Sequence, residues 1–301
     1  MDGILPLYKP RGMTSHDCVD RLRKITRQRK IGHTGTLDPG AEGVLPVCLG
    51  KATKVVQYMT TDQKTYEAEI TIGSSTETED RDGEIIAEQK VEEPLSRNEI
   101  LTALQKWTGP IEQTPPMYSA VKVKGKRLYE YARQGIEVER PKRQVTVFDM
   151  TLLDSDTEFA GESPSFRVRI RCSKGTYIRT LAVDIGQTLG YPAHMSSLLR
   201  TASGSFTLED CLTFARIEEL MQEGQLETEL FPLDQGLAVL PALTVDKPSA
   251  EKIKNGAVLP LPKEMQEERF TVYNEKGRLL AVYIPHPNKP AFMKPEKVFI
   301  T

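Results

Sequence analysis

The sequence predicts an α+β fold built on a mixed, largely antiparallel sheet. Two observations carry this. Residues 64–73 and 165–172 each alternate apolar and polar side chains with a period of two, the pattern of strands with one buried face. Predicted strands and helices then follow one another irregularly, without the repeated strand–helix–strand order of a parallel sheet. In chain order, Ile4-Leu5-Pro6-Leu7-Tyr8 reads as a strand. Thr14 or Ser15 can cap a helix running through Arg27, with Cys18, Val19, Leu22 and Ile25 on one face. A glycine-rich loop follows, and Val44-Leu45-Pro46-Val47-Cys48-Leu49 reads as a buried strand. Residues 52–60 predict a short helix. In the strand at 64–73, Tyr66, Ala68, Ile70 and Ile72 share one face. The acidic piece at 74–93 predicts a turn or hairpin. Ser96 and Glu99 form a capping box opening a helix that ends before Gly109. Residues 110–126 read as irregular and proline-bearing, 127–134 as a helix stopped at Gly135, and 144–153 as a strand. A helix is expected from Thr176 to near Gly190, and a break near Leu240-Pro241 divides residues 1–240 from a small β-rich unit at 241–301.

The chain has 301 residues, 39% hydrophobic and 27% charged, with no apolar run long enough to cross a membrane and no leader-like segment. Cys18, Cys48, Cys172 and Cys211 are scattered without metal-ligand spacing, so a reducing, cytoplasmic setting is expected. The net charge of −2 conceals segregation: residues 1–60 carry ten Lys/Arg against five Asp/Glu, and residues 61–100 carry four against twelve. Two basic clusters stand out. One includes Arg21, Arg23, Lys24, Arg27, Arg29 and Lys30; the other Lys122, Lys124, Lys126 and Arg127. Either alone fits a solvated face. Both flanking one loop favour a polyanionic substrate.

That loop is Gly32-His33-Thr34-Gly35-Thr36-Leu37-Asp38-Pro39-Gly40-Ala41-Glu42-Gly43. Four glycines and a proline exclude a regular helix or a central strand, and in the middle of this shaped loop, ahead of a core strand, stands the carboxylate of Asp38. Read locally, Asp38 fits either a catalytic group or an Asp-Pro-Gly turn bonded to its own backbone. The loop resembles the catalytic loop of the pseudouridine synthases, in the TruB family that modifies the T-loop of tRNA. Companion blocks appear in order: Lys9-Pro10-Arg11-Gly12-Met13-Thr14-Ser15, Lys64-Thr65-Tyr66-Glu67-Ala68, Gln113-Thr114-Pro115-Pro116-Met117-Tyr118-Ser119-Ala120, Ser173 to Leu181 around Tyr177 and Arg179, and Ala193 to Arg200 around Leu198. They span residues 9–200, about two thirds of the chain.

The resemblance implies the pseudouridine synthase fold, a long bent mixed sheet with the active cleft across it, and a PUA-like RNA-binding domain at 241–301. It implies an isomerase that detaches uracil from ribose C1′, turns it and rejoins it through carbon, at position 55 of tRNA. No cofactor or metal is required. Asp38 becomes the nucleophile or charge stabiliser, Arg179 its partner through a two-pronged ion pair, and Tyr66 a stacking wall and proton shuttle. Tyr177 and Leu198 complete the base pocket, and His33 helps hold an extruded nucleotide. Lys9-Pro10 and Met117-Tyr118-Ser119 support the loop. The expected partner is the T-arm stem-loop, met by a monomer without an obligate protein partner; an accessory RNA-folding activity is compatible with this. Arg27, Arg29, Lys30, Lys122 and Lys124 are candidate phosphate contacts. Three rivals remain at this point: a guide-RNA-dependent enzyme of the dyskerin type, disfavoured by the absence of Lys-rich tails; a non-catalytic RNA binder, which need not keep Asp38, Tyr66 and Arg179 together; and a glycosidase, which needs a second placed carboxylate, with Glu42 the local candidate.

Overall fold

The structure is a computed structural model describing residues 1–60, 63–265 and 267–299. Among these residues the main sheet has nine strands: β1 (Gly3–Lys9), β2 (Ile31–His33), β3 (Glu42–Leu49), β4 (Lys64–Ile72), β5 (Gly109–Gln113), β6 (Arg143–Leu152), β7 (Ser165–Cys172), β8 (Ala193–Ser203) and β9 (Phe206–Thr207). Seven run in the order β1-β3-β8-β4-β7-β6-β5, with β2 on β3 and β9 on β8. The β3–β8 pair is parallel, Leu199 facing Glu42 and Arg200 facing Gly43; the other pairings along this path are antiparallel. The sheet is therefore mixed and largely antiparallel.

β4 sits near the middle because its alternation suits it. Tyr66, Ala68, Ile70 and Ile72 are buried, and Thr65, Glu67, Glu69 and Thr71 face the more accessible side. Helices α2 (Arg97–Lys106) and α3 (Ile178–Leu189) cover the buried face, closing a core that includes Ile100, Leu104, Leu181 and Ile185. At the other end α1 (Ser15–Thr26) and α4 (Phe214–Glu223) pack Cys18, Leu22, Phe214 and Ile217 against Leu5, Leu45 and Val47. The α1 boundaries follow from its caps: Thr14 and Asp17 form a capping box, and Arg27 ends the helix in the left-handed region at φ 52°.

Several strands differ from the sequence-based expectation: β2 takes Gly32 and His33, and β3 takes Glu42 and Gly43, from the ends of the expected glycine loop, and β9 is unanticipated. Residues 110–113, read as irregular, join Gly109 in β5. It is an edge strand, so Pro110 removes no hydrogen bond from the sheet interior. β8 carries two register shifts against β4, between Met195 and Ser197 and between Arg200 and Ala202. Each changes the parity of the inward positions, so Ala193 and Met195, then Leu198 and Arg200, then Ser203 face inward. No single period of two survives along it. Residues 52–60 split into a 3-10 turn (Gly50–Lys54) and a helix (Val56–Met59), and 74–93 contains a hairpin pairing Ser74–Thr76 with Ile85–Glu88.

The C-terminal β-rich unit is present: β10 (Ala242–Val245), β11 (Leu259–Pro260), β12 (Phe270–Asn274), β13 (Leu279–Pro285) and β14 (Phe292–Val298), in the order β10-β12-β13-β14-β11. It also contains an unanticipated helix, α5 (Lys247–Lys254), capped by Asp246. Gln266, Ile300 and Thr301 of the segment 241–301 lie outside the described residues. The unit is fastened to the body. Val282, Leu279 and Phe299 join a cluster with Ile4, Met59 and Leu237, and the Arg269 guanidinium lies 5.4 Å from the Tyr58 ring centre while bonding Glu296.

Gly43 marks the closest approach of backbones. Its φ is +103°, and a Cβ there would run into the carbonyl oxygen of Arg200 on β8. Gly43→Ala should cost about 2 kcal/mol or more from strain alone, and the clash parts β3 from β8. Thermal unfolding checks this; a midpoint within a degree of the unaltered chain would refute it.

Candidate active site

Asp38 is held by a loop with little freedom. The buried Lys9 ammonium donates to the carbonyls of Pro10 at 3.0 Å, Pro39 at 3.3 Å and Ala41 at 2.5 Å. Ser15 donates its hydroxyl to the Leu37 carbonyl at 3.2 Å and accepts from the Leu37 N–H at 2.8 Å. The Gly12 N–H donates to the Pro39 carbonyl at 2.8 Å. Both flanks of Asp38 are thus tied to the β1–α1 connection, the supporting role expected of Lys9-Pro10.

The Asp38 carboxylate meets the guanidinium of Arg179, with Nε to Oδ2 at 2.9 Å. It does not fold back as a simple Asx turn. The pairing differs from the two-pronged form expected. Arg179 spends one nitrogen on Asp38, while Nη1 donates to the Thr78 carbonyl at 2.7 Å and Nη2 to the Tyr118 carbonyl at 2.9 Å. The reason is geometric: Arg179 leaves the first turn of α3 and is 4% exposed, so its fork is closed over by the 78–80 and 118 segments and its edge faces Asp38. Asp80 lies on the same edge, Oδ2 at 3.8 Å from Nε. One cation therefore serves two carboxylates. Asp80 falls in the acidic stretch that the sequence offers as a turn or hairpin, with no site residue in it.

The Asp38 side chain is 40% accessible and faces the cavity. Burial pushes its carboxyl up from the ordinary range; Arg179 pulls it back, and Asp80 adds to the rise. The cavity it faces has a volume of about 290 Å³ and is walled by Tyr66, Tyr177, Leu198, Arg179 and Arg200. Tyr66 is both things the sequence allowed: a core residue, 9% exposed, and a wall of the cavity. Tyr177 precedes α3, and its backbone is clamped by Gln113 of β5. The Gln113 amide donates to the Tyr177 carbonyl at 3.1 Å, and its carbonyl accepts from the Tyr177 N–H at 3.0 Å. Gln113, Ser119, Lys64 and Arg200 were not singled out from the sequence as site residues. Arg200 in particular is hidden by the broken alternation of β8.

Other candidates stand outside. His33 ends β2 and does not line the cavity, although its neighbours Thr34 and Gly35 do. Burial pushes its imidazole down, toward the neutral form. Arg27, Arg29 and Lys30 are exposed between α1 and β2. Lys122 and Lys124 are exposed on a hairpin (Lys122–Val123 with Lys126–Arg127) whose turn has positive φ at Lys124 and Gly125. That hairpin directly follows Ser119 and Ala120 of the cavity wall. Among the described residues no group of His, Cys, Asp and Glu is arranged to hold a metal ion, and no helix is long and apolar enough to cross a membrane.

The model of the TruB family pseudouridylate synthase N-terminal domain matches residues 23–178, which contain the Asp38 loop, Tyr66 and Tyr177. The chain belongs to the TruB family. The model of the tRNA pseudouridylate synthase B C-terminal domain matches residues 179–238, beginning at Arg179 and ending before the β10–β14 unit. The tRNA pseudouridine synthase B of Geobacillus thermodenitrificans is 54% identical over 301 residues, covering 99% of this chain and 100% of the relative. That of Bacillus cytotoxicus is 53% identical over 300 residues, covering 100% and 98%. Among solved structures, a chain of a Cbf5-Nop10-Gar1 complex superposes with a TM-score of 0.76 at 27% identity, covering 99% of this chain and 85% of that one. That likeness covers nearly the whole chain, the C-terminal unit included.

Proposed function

We propose that this chain converts the uridine at position 55 in the T-loop arm of tRNA to pseudouridine, as a monomer and without guide RNA. The observation that carries the reading is the salt bridge of Asp38 with buried Arg179 on a cavity walled by Tyr66, Tyr177 and Leu198. A cavity of about 290 Å³ suits one nucleoside and excludes a paired stem, so the target base must be flipped out of its loop. Breaking the bond from C1′ to N1 develops positive charge on the sugar, and the Asp38 carboxylate meets it there as nucleophile or stabiliser. The aromatic walls hold the detached uracil by stacking while it turns and C5 joins C1′. The Tyr66 hydroxyl serves the proton transfer that completes the isomer. The chemistry is redox-neutral and needs no cofactor.

Full-length likeness to bacterial relatives at 53–54% identity, against 27% for the chain from the Cbf5 complex, favours the stand-alone form over a guide-RNA particle. Incubating the protein with unmodified tRNA and mapping pseudouridine by base tests this. Modification at position 55 without added RNA or protein is expected; modification only with a guide RNA, or at another site, overturns it.

The exposed basic groups and the C-terminal unit, the proposed PUA-like domain, supply binding beyond the cavity. Neutralising Arg27, Arg29 and Lys30 together should weaken tRNA affinity and flatten its salt dependence, by roughly 0.7–0.9 in log–log slope per lost phosphate contact. An unchanged slope places this cluster away from RNA. The C-terminal unit is better tested by surface substitution than by truncation, because removing it uncovers Ile4, Met59 and Leu237.

A further inference from the structure

Arg200 is the largest of the fully buried side chains, 1% exposed. It stands directly opposite Tyr66 in the β8–β4 pairing, so the two leave the sheet on one face, and both line the Asp38 cavity. Its Nε donates to the Val44 carbonyl at 2.6 Å, and Nη2 lies 3.4 Å from the Gly35 carbonyl. Those two carbonyls bracket the Asp38 loop. Arg179 has Asp38 and Asp80 for counter-charges; among the described residues Arg200 has no carboxylate within ion-pair distance. A buried cation without an anion is costly. Negative charge that develops at the cavity during a reaction is stabilised by such a group. Tyr66 is its cross-strand neighbour on the same cavity wall. Burial drives that phenol up, Cys172 and Asp38 add to the rise, and Arg200 is the group that opposes them. Lys9 and His33 also face the Arg200 charge, and neither supplies an anion.

We propose that Arg200 is a positioning residue for proton removal: it aims the Tyr66 oxygen at C5 of the rejoined base and stabilises the negative charge on that oxygen. The proposal rests on the isomerase reading above. In this step the C5–H bond breaks, and its electron pair forms the C5–C6 double bond. The C6–N1 pair moves to N1, which takes a proton from water. The C5 proton ends on Tyr66, which acts as phenolate after releasing its own proton to water. Arg200 also ties that step to the nucleophile loop through Gly35 and Val44.

The test is a double-mutant cycle read by single turnover on unmodified tRNA, with ordinary and 5-deuterated target uridine. Arg200→Gln should slow the bound reaction about 100-fold, leave tRNA affinity unchanged and enlarge the deuterium isotope effect. In a Tyr66→Phe background the same substitution should slow the reaction less than about threefold further. Arg200→Lys, which keeps the charge, should recover part of the rate and, if the Gln variant is unfolded by circular dichroism, carries the same cycle. Equal slowing in both backgrounds with an unchanged isotope effect would overturn the proposal and leave Arg200 as a loop clamp. Absence of pseudouridine from the unaltered chain is a different failure, that of the isomerase reading.

Discussion

Asp38→Asn should abolish isomerisation, by at least about 10³-fold in single-turnover rate, while tRNA affinity stays near that of the unaltered chain. The amide keeps the shape of the carboxylate, and its oxygen can still accept from Arg179 Nε, 2.9 Å from Oδ2 in the native pair. The loop should stay in place, because Lys9, Ser15 and Gly12 hold it through backbone groups and not through the Asp38 side chain. What disappears is the charge that meets the cationic sugar. Arg179 would then face Asp80 alone, 3.8 Å away. Residual turnover could not be laid to slow reversion of the asparagine, since cyclisation needs the next residue's N–H and Pro39 has none. Retention of more than a small fraction of the rate would show that Asp38 is not the central group. In the unaltered chain, burial raises the Asp38 carboxyl and Arg179 holds it down. Activity requiring the ionised form should fall as pH drops through that folded value.

The parts of this architecture legible in the sequence are those where local pattern and tertiary role agree. β4 alternates and is half-buried; α1 and α2 have capping boxes where helices begin; the middle of the glycine stretch, residues 34–41, is a loop between β2 and β3. The parts that were not legible are those where long-range pairing decides. β5 exists because β6 offers an edge, not because Gly-Pro-Ile-Glu-Gln favours a strand. β8 hides behind two bulges, and those same bulges bring Leu198 and Arg200 onto the cavity side. Asp80 looks like one acid among many until the turn at 78–80 folds over Arg179. The ion pair of Asp38 with Arg179 was foreseen in its members but not in its geometry, because the carbonyls of Thr78 and Tyr118 that occupy the guanidinium fork lie 101 and 61 residues away in sequence.

Arg179→Lys should cost far more than its conserved charge suggests. The native guanidinium has three separate directions in use: Nε to Asp38, Nη1 to the Thr78 carbonyl and Nη2 to the Tyr118 carbonyl. A lysine ammonium is a single compact donor set at the end of a flexible stem, and it cannot occupy all three positions. If it follows Asp38, two buried carbonyls lose their donors, at roughly 1–3 kcal/mol for each group left unsatisfied. If it follows the carbonyls, Asp38 loses its counter-ion. Either way the turn bearing Asp80 loosens. The sign for Asp38 is fixed by the cause: Arg179 lowers its carboxyl, so weaker pairing lets burial and Asp80 raise it. The acidic limb of the pH–rate profile should therefore move to higher pH, and the carboxylate should lose its alignment with the sugar. Both effects act on the bound chemical step. The expected signature is a large fall in single-turnover rate, an upward shift of the acidic limb, a lower thermal midpoint and nearly unchanged tRNA affinity. Weakened binding with an intact bound rate would mean instead that Arg179 contacts phosphate in the complex and that another group balances Asp38.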